Sequence, residues 1–328
     1  MKVSFFEARA DEQEILKQRL SGHKLSFFAE PLSEKNVSAA ASSDIISITN
    51  HTKASPALLS ALPNLKLVST RTTGFDHIDL DSCKAKGIAV CNVPAYGNYT
   101  VAEYTFALLL VLSRKLHKAY LKSSKMDFSI GGLQGFELFG KTIGVIGSGR
   151  IGLNVIKIAK GFGMNAVAFD ILKNNEAAKS LGFEYLPLNE LLSKSDIITI
   201  HLPYSNNTHH LLNKGNISKI KRGAVLINTA RGGIIETEAL CQALDSGVLS
   251  GAALDVIEGE ELLRIKPKSD AENSQLKAIK VILQKENVIF TSHIAFYTKE
   301  ALRRIIETTA ENIISFADGK PQNLVLIK

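Results

Sequence analysis

The sequence predicts an α/β protein made of two doubly wound parallel-sheet domains, the first of them discontinuous. Three observations carry that expectation. Short apolar, β-branched runs alternate with polar helical stretches along the whole chain, the pattern of βα units. The chain has 328 residues, too many for one ordinary domain and enough for a real core in each of two. A glycine-rich turn, "GVIGSGRIG", separates a strand-like run from a helix-like one near mid-chain.

The first series of strands reads "KVSFF", "KLSFF", "DIISIT", "LKLVST" and "IAVCNV", separated by helical stretches such as "DEQEILKQRL" and "DSCKAKG". "SAAASSD", at 38–44, reads as a loop. "NYTVAEYTFALLLVLSRKLHKAYLKS" predicts one long helix, with Glu103 early and basic residues late, as the helix dipole favours. The second series is "KTIGVIG", "NAVAFD", "DIITIHLP", "GAVLINTA", "SGAALDV" and "NVIFTSH". An amphipathic helix, "TKEALRRIIETTAENIISFADG", ended by Gly319 and Pro321, then returns the chain to the first domain. The expected domains are 1–99 plus 296–328, and 100–295. A cleft is expected between them, with hinges near Asn98 to Val101 and Ala295 to Tyr297.

Composition excludes several classes. Hydrophobic residues at 45% and charged residues at 22% are ordinary globular values. The longest apolar run, "FALLLVL", is too short to cross a bilayer, and "MKVSFFEARADEQE" lacks the pattern of a signal peptide, so a cytoplasmic protein off the membrane is expected. Cys83, Cys91 and Cys241 have no metal-ligand or disulfide spacing and read as small buried residues; no metal is expected. The formal charge of +7 is scattered rather than clustered, which argues against nucleic acid and suits a small carboxylate substrate. The apolar helix "YTFALLLVL" exceeds the needs of one domain, and a homodimer through it is expected.

Gly147, Gly149 and Gly152 suit either a plain tight turn or one that approaches a pyrophosphate set on a helix N-terminus, and the strand before and helix after favour the second. Asp170 ends the next strand, 18 positions after Gly152, where an acid accepts hydrogen bonds from the adenosine ribose. NAD is therefore expected rather than NADP, although Lys173 is close. Three later strand ends carry Arg231 in "INTARGG", Asp255, Glu258 and Glu260 in "ALDVIEGEE", and His293 in "TSHIAFYT". An arginine to hold a carboxylate, a histidine to protonate a carbonyl oxygen, and an acid to support that histidine suit reduction of a 2-keto acid. Taken singly, each could equally be a surface ion pair, a loop acid or a core histidine; their placement at successive strand ends favours the chemistry.

With those residues in place, the chain resembles the D-isomer-specific 2-hydroxyacid dehydrogenases. "VSTRTTGFDHIDL", "NVPAYGNYTVAEYT", "GVIGSGRIG", "HLPYSNNTHHLLN", "INTARGGIIE", "GAALDVIEGEE" and "TSHIAFYT" look like that family's signature segments in order. "HIAFYT" and the long segment from Glu260 to Asn287 are most similar to its D-lactate dehydrogenase branch. The resemblance implies a flavodoxin-like, discontinuous substrate domain (1–99 plus 296–328) and a Rossmann NAD-binding domain (100–295), with Arg231 as carboxylate binder, Glu260 as partner of the histidine and His293 as acid and base. The family's acid falls five residues after the aspartate of "LDV", which selects Glu260 over Glu258. Asp255, Thr229 and Ala230 would line the nicotinamide pocket, Arg150 and Ile151 the pyrophosphate, and Leu202, Pro203 and Thr208 the adenosine. Thr73, Gly74, Tyr96 and His51 would meet the substrate, a small 2-keto or 2-hydroxy acid. Two departures stand out: Asn50 and His51 replace a bulky residue over the substrate side chain, and Tyr104 replaces a histidine. The implied activity is reduction of pyruvate to D-lactate with NADH. Alternatives are a glyoxylate, hydroxypyruvate or larger 2-keto acid reductase, and, outside enzymes, an NAD-sensing binding protein resembling corepressors.

Overall fold

Every strand expected in the two series forms in the computed structural model, which describes residues 1–263, 267 and 269–325. The chain divides into two compact units, Met1–Tyr96 with Thr298–Lys328, and Gly97–Tyr297.

In unit 1 the strands β1 (Lys2–Phe6), β2 (Lys24–Phe28), β3 (Ile45–Ile48), β4 (Leu67–Thr70) and β5 (Ala89–Cys91) form one sheet in the order β2-β1-β3-β4-β5. All pairs are parallel. β3 and β4 are buried along their whole length, as a sheet covered on both faces requires, which is why neither shows the apolar–polar alternation of a half-exposed strand. Helices α1 (Ala10–Arg19), α2 (Pro56–Ser60) and α3 (Leu80–Ala85) connect the strands, and the C-terminal helix Lys299–Ala317 packs on α1 and β4. Strand order reverses between β1 and β3, the place where such a sheet gathers ligands at its carboxyl edge. Buried Arg71 ties that edge together, donating to Ser47 O and Oγ at 3.3 and 3.0 Å and to Phe6 O and Glu7 O at 2.6 and 3.1 Å.

Unit 2 begins with α4 (Thr100–Ser113) and α5 (Leu116–Ser123). The single long helix expected there is thus two, because Lys115 takes a left-handed conformation (φ 50°) between them. Then follow β6 (Thr142–Ile146), α6 (Arg150–Gly161), β7 (Asn165–Phe169), α7 (Asn175–Leu181), β8 (Glu184–Tyr185), α8 (Leu188–Lys194) and β9 (Ile197–Ile200). β10 (Ala224–Asn228), α9 (Thr237–Asp245), β11 (Leu249–Leu254), α10 (Asp270–Leu283) and β12 (Val288–Phe290) complete it. The parallel sheet runs β12-β11-β10-β9-β6-β7-β8, with the reversal between β6 and β9. The edge strand β8, two residues long, carried too little pattern to be read from sequence.

Two expectations change. "SAAASSD" is not wholly loop, since Val37–Ala40 forms a 3₁₀ turn that buries Ala40. The apolar face of α4 is not spare: Ala102, Phe106, Leu109 and Leu112 pack within unit 2 against Val145, Val155 and Val225, so it gives no ground for a dimer. Cys83 and Cys91 are buried as expected, and burial pushes both thiols up to about 11, while Cys241 is only partly covered. Among the described residues no helix is long and apolar enough to cross a membrane.

Candidate active site

The glycine-rich turn joins β6 to α6. Gly147 has φ 98°, which a side chain would resist, and a Cβ there would stand 2.6 Å from His201 O and 2.9 Å from a Leu202 methyl. A Cβ on Gly152 would overlap the Gly147 carbonyl oxygen. Gly149, at the N-cap of α6, instead faces open space. A tight turn with open room above a helix N-terminus is a cradle that a pyrophosphate fits and a side chain would fill. Arg150 is exposed on the first turn of α6 and Ile151 is half-buried behind it. Asp170 follows β7 directly. Its Oδ2 accepts from Ser148 N at 2.7 Å and Ser148 Oγ at 3.1 Å, and its Oδ1 accepts from Leu172 N at 2.9 Å. Leu202 flanks Gly147, and Thr208 folds the next loop by donating to Pro203 O at 2.7 Å.

Further along the same carboxyl edge, His293 Nδ1 lies 2.8 Å from Glu260 Oε1. Glu260 Oε2 accepts from Ile257 N at 3.1 Å, so the carboxylate is held at both oxygens. A carboxylate can only accept, which gives Nδ1 the proton in that bond and leaves Nε2 as the nitrogen that exchanges one. Both side chains are part-exposed, His293 at 21% and Glu260 at 30%, so solvent and a small ligand can reach them.

His293 has φ 60°, a left-handed conformation costing a non-glycine residue about 1–2 kcal/mol. Asp255, fully buried, holds it there. Oδ1 accepts from Thr291 Oγ1 at 2.6 Å and Ile294 N at 2.9 Å, Oδ2 from Ala295 N at 2.8 Å, and Asp255 O from His293 N at 2.9 Å. The nicotinamide role expected for Asp255 is thus joined by a structural one, since three of its acceptor positions are taken by the histidine loop.

Arg231 begins the turn after β10. Asn228, buried at the strand end, braces that turn, donating from Nδ2 to Arg231 O at 2.9 Å and accepting from Ala230 N at 3.0 Å. Arg231 itself donates to Ala230 O at 2.8 Å. Gly232 lies against the backbone of Ile257 and Glu258 so closely that a Cβ would overlap it, which sets the arginine turn directly on the loop bearing Glu260. Thr229 is buried and its Oγ1 meets Thr105 Oγ1 at 3.2 Å. Glu258 turns elsewhere, to His210 Nε2 at 2.5 Å and to Thr237 N and Oγ1 at the start of α9.

In unit 1, Thr73 donates to Val93 O at 2.8 Å and Thr72 to Gly74 O at 2.6 Å, which shapes the loop after β4. Tyr96 is half-buried at the unit's edge. His51, 47% exposed beyond β3, is not a lone wall residue: its Nδ1 lies 2.6 Å from Glu7 Oε1, and Glu7 also accepts from Thr49 Oγ1. Burial opposes the charge on Glu7, but those bonds and the His51 and Arg71 charges hold its carboxyl below the usual range.

Among the described residues, His209, His210 and Glu258 have ligand atoms within 4.8 Å of one another. The two imidazoles are stacked at 3.7 Å with planes 25° apart, so their in-plane lone pairs run side by side instead of converging. Sequence reasoning did not find Asn228, Gly232, Ser148 or Thr291. Their contributions are packing and bracing, with no residue-type signal beyond the glycine after Arg231.

A glycine cradle, an acid at the end of the next strand and a histidine–carboxylate pair are the equipment of a dinucleotide-dependent oxidoreductase. A profile described as D-isomer specific 2-hydroxyacid dehydrogenase, NAD binding domain, matches residues 106–295. A D-lactate dehydrogenase of Escherichia coli is 36% identical over 331 residues, covering 99% of this chain and 100% of that one. An aromatic 2-oxoacid reductase of Clostridium sporogenes is 36% identical over 323 residues, covering 96% of each. The crystal structure of a D-lactate dehydrogenase from Aquifex aeolicus complexed with NAD and lactic acid has a TM-score of 0.89 and 39% identity, covering 97% of this chain and 96% of that one. The chain belongs to the D-isomer specific 2-hydroxyacid dehydrogenase family. It is an NAD-dependent oxidoreductase of D-2-hydroxy acids, as the resemblance implied.

Proposed function

We propose that the enzyme reduces pyruvate to D-lactate, with His293, Glu260 and Arg231 as its catalytic set. The observation that carries this reading is the His293–Glu260 bond of 2.8 Å, whose carboxylate is anchored at its second oxygen. NADH on the glycine loop supplies the hydride. The Arg231 guanidinium holds the substrate carboxylate by paired hydrogen bonds. Protonated His293 gives its Nε2 proton to the carbonyl oxygen as the C–O double bond becomes a single bond, and ends neutral. Glu260 keeps Nδ1–H in place throughout and so holds the ring with Nε2 towards the substrate. In the oxidative direction Nε2 takes the hydroxyl proton back.

Thr229, Ala230 and Asp255 serve the nicotinamide end of the cofactor; Arg150, Leu202, Pro203 and Thr208 serve the rest. Thr73, Gly74, Tyr96 and His51 are the proposed substrate contacts of unit 1. The His51–Glu7 pair supports a second reading, a preference for 2-oxo acids larger than pyruvate, because a polar, half-exposed imidazole replaces a bulky wall. A panel of pyruvate, phenylpyruvate, 2-ketoisocaproate, glyoxylate and hydroxypyruvate, each with NADH and NADPH, decides between them by kcat/KM. Pyruvate with NADH leads if the first reading is right; turnover of none of them would end both.

The enzyme is further proposed to be a cytoplasmic homodimer, with no nucleic-acid partner. Dependence on a cellular NAD pool supports the location. For the dimer, support moves from α4 to the segment after it. Tyr120, Leu121, Met126, Phe128, Ile130 and Phe139 are 55–86% exposed. Lys122 meanwhile fixes their loop by donating to Ser129 Oγ at 2.6 Å and Gly131 O at 3.2 Å. An ordered loop that presents this much apolar surface suits a second copy.

A further inference from the structure

We propose that Tyr185 is a positioning residue for cofactor selectivity, acting on Asp170 through Ser148 to make the site strict for NAD. The proposal rests on the reading of Asp170 as the acid facing the adenosine ribose. It concerns a side chain on β8, outside the glycine-rich loop, that no motif singles out.

β8 pairs with β7 so that Tyr185 lies beside Ala168, two residues before Asp170. The Phe183 ring packs edge-on to the Tyr185 ring, with centroids 5.1 Å apart, and fixes the direction of the phenol. Tyr185 OH lies 2.7 Å from Ser148 Oγ, and Ser148 Oγ lies 3.1 Å from Asp170 Oδ2. Asn174 N donates to the phenol oxygen at 3.0 Å.

The hydrogens in this chain can be assigned without seeing them. A carboxylate only accepts, so the single Ser148 hydroxyl hydrogen points to Asp170. Ser148 Oγ must then accept from Tyr185 O–H. The phenol has given its one hydrogen, and its oxygen accepts from Asn174 N–H. The series therefore runs one way, from Asn174 N–H through Tyr185 and Ser148 to Asp170, and each bond polarises the next.

The consequence falls on Asp170. Its carboxylate is held by Ser148 N and Oγ on one oxygen and Leu172 N on the other. A carboxylate has about four acceptor positions, so these three bonds leave one, on the Leu172 side, for a ribose hydroxyl as donor. The bonds also stop the group from swinging aside, which is what a 2′-phosphate would require. Lys173 stands next in sequence but one to Leu172's neighbour Ile171, and its attraction for a phosphate would be offset by a fixed negative charge at the ribose.

The test is calorimetric binding of NADH and NADPH to the wild type, Tyr185→Phe, Ser148→Ala, Asp170→Ala and the Tyr185→Phe/Asp170→Ala double variant. The wild type should prefer NADH by about 100-fold or more, the scale of a like-charge contact. Tyr185→Phe should weaken NADH roughly 3- to 10-fold, as loss of one neutral hydrogen bond does, and narrow the NADH/NADPH ratio. In turnover the loss should fall on KM for NADH rather than on kcat. In the Asp170→Ala background the same change should do nothing, because the residue it acts through is gone. An equal effect in both backgrounds, or a wild-type ratio in Tyr185→Phe, overturns the relay. Ser148→Ala decides the matter if the tyrosine variant does not fold, since it cuts the same chain while keeping the Ser148 N–H bond. Equal binding of both cofactors by the wild type would instead defeat the reading of Asp170 itself.

Discussion

Asp255→Asn is the perturbation that most sharply separates a residue acting on the cofactor from one that builds the catalytic loop. The wild-type carboxylate is fully buried and accepts from Thr291 Oγ1, Ile294 N and Ala295 N. An asparagine keeps one oxygen, which can still serve Thr291 and Ile294, but places an NH₂ against Ala295 N–H, donor facing donor. One charge-assisted bond is lost and two are reduced to neutral strength, together about 3 kcal/mol. For a unit of this size that is a fall of roughly 6 to 12 °C in Tm. His293 is also released from a left-handed conformation that is unfavourable without its anchors, and a displacement of about 1 Å at a reacting group costs about 100-fold in rate. Scanning calorimetry, with kcat/KM for pyruvate and NADH, reads both effects. A Tm within about 2 °C of wild type together with a rate within about threefold would refute the anchoring role.

Gly232→Ala should lower kcat/KM by roughly 100-fold with far less effect on NADH binding, because a Cβ would push the Arg231 turn off the Ile257 backbone; steady-state kinetics with a binding titration checks it. Burial pushes His201 down to about 3, its Nδ1 sealed without a partner. The unfolded ring takes a proton near pH 6.5 and the folded one does not until about pH 3, so stability is complete above 6.5 and falls as pH drops below it. The expected loss between pH 7.5 and 5 is about 2 kcal/mol, and denaturant titrations of His201→Gln should lack that part of the slope. Phe128→Asp with Ile130→Asp should convert a dimer into monomers in light scattering, and a wild-type monomer would refute the proposed interface.

Much of the fold was legible because parallel strands covered on both faces leave apolar runs, as in "DIISIT" and "GAVLIN", and because "GVIGSGRIG" falls between a strand-like and a helix-like run, the context that gives its glycines meaning. The two-residue β8 left no such run. The break at Lys115 was hidden because a basic residue is also what a continuing helix would carry there. At the site, His293 could be named from its strand end, whereas Glu260 was told from Glu258 only by the family resemblance, and the chain brings the two within hydrogen-bond distance. What holds them could not be named. Asp255 looks in sequence like any acid at a strand end, and only the folded loop shows its oxygens turned to Thr291, Ile294 and Ala295. His51 likewise gave no hint of Glu7, which lies 44 positions earlier and meets it only because β1 and β3 are neighbours.

The central claim is that His293 moves the proton in pyruvate reduction while NAD is held elsewhere on the same unit. Single-turnover reduction of pyruvate by His293→Gln, with NADH binding measured on the same preparation, tests it most directly. Acid catalysis of this kind is worth about 100- to 10,000-fold, so the rate should fall by that factor while the Kd for NADH stays within about threefold of wild type. A variant that turns over at near the wild-type rate, with NADH bound normally, would contradict the account.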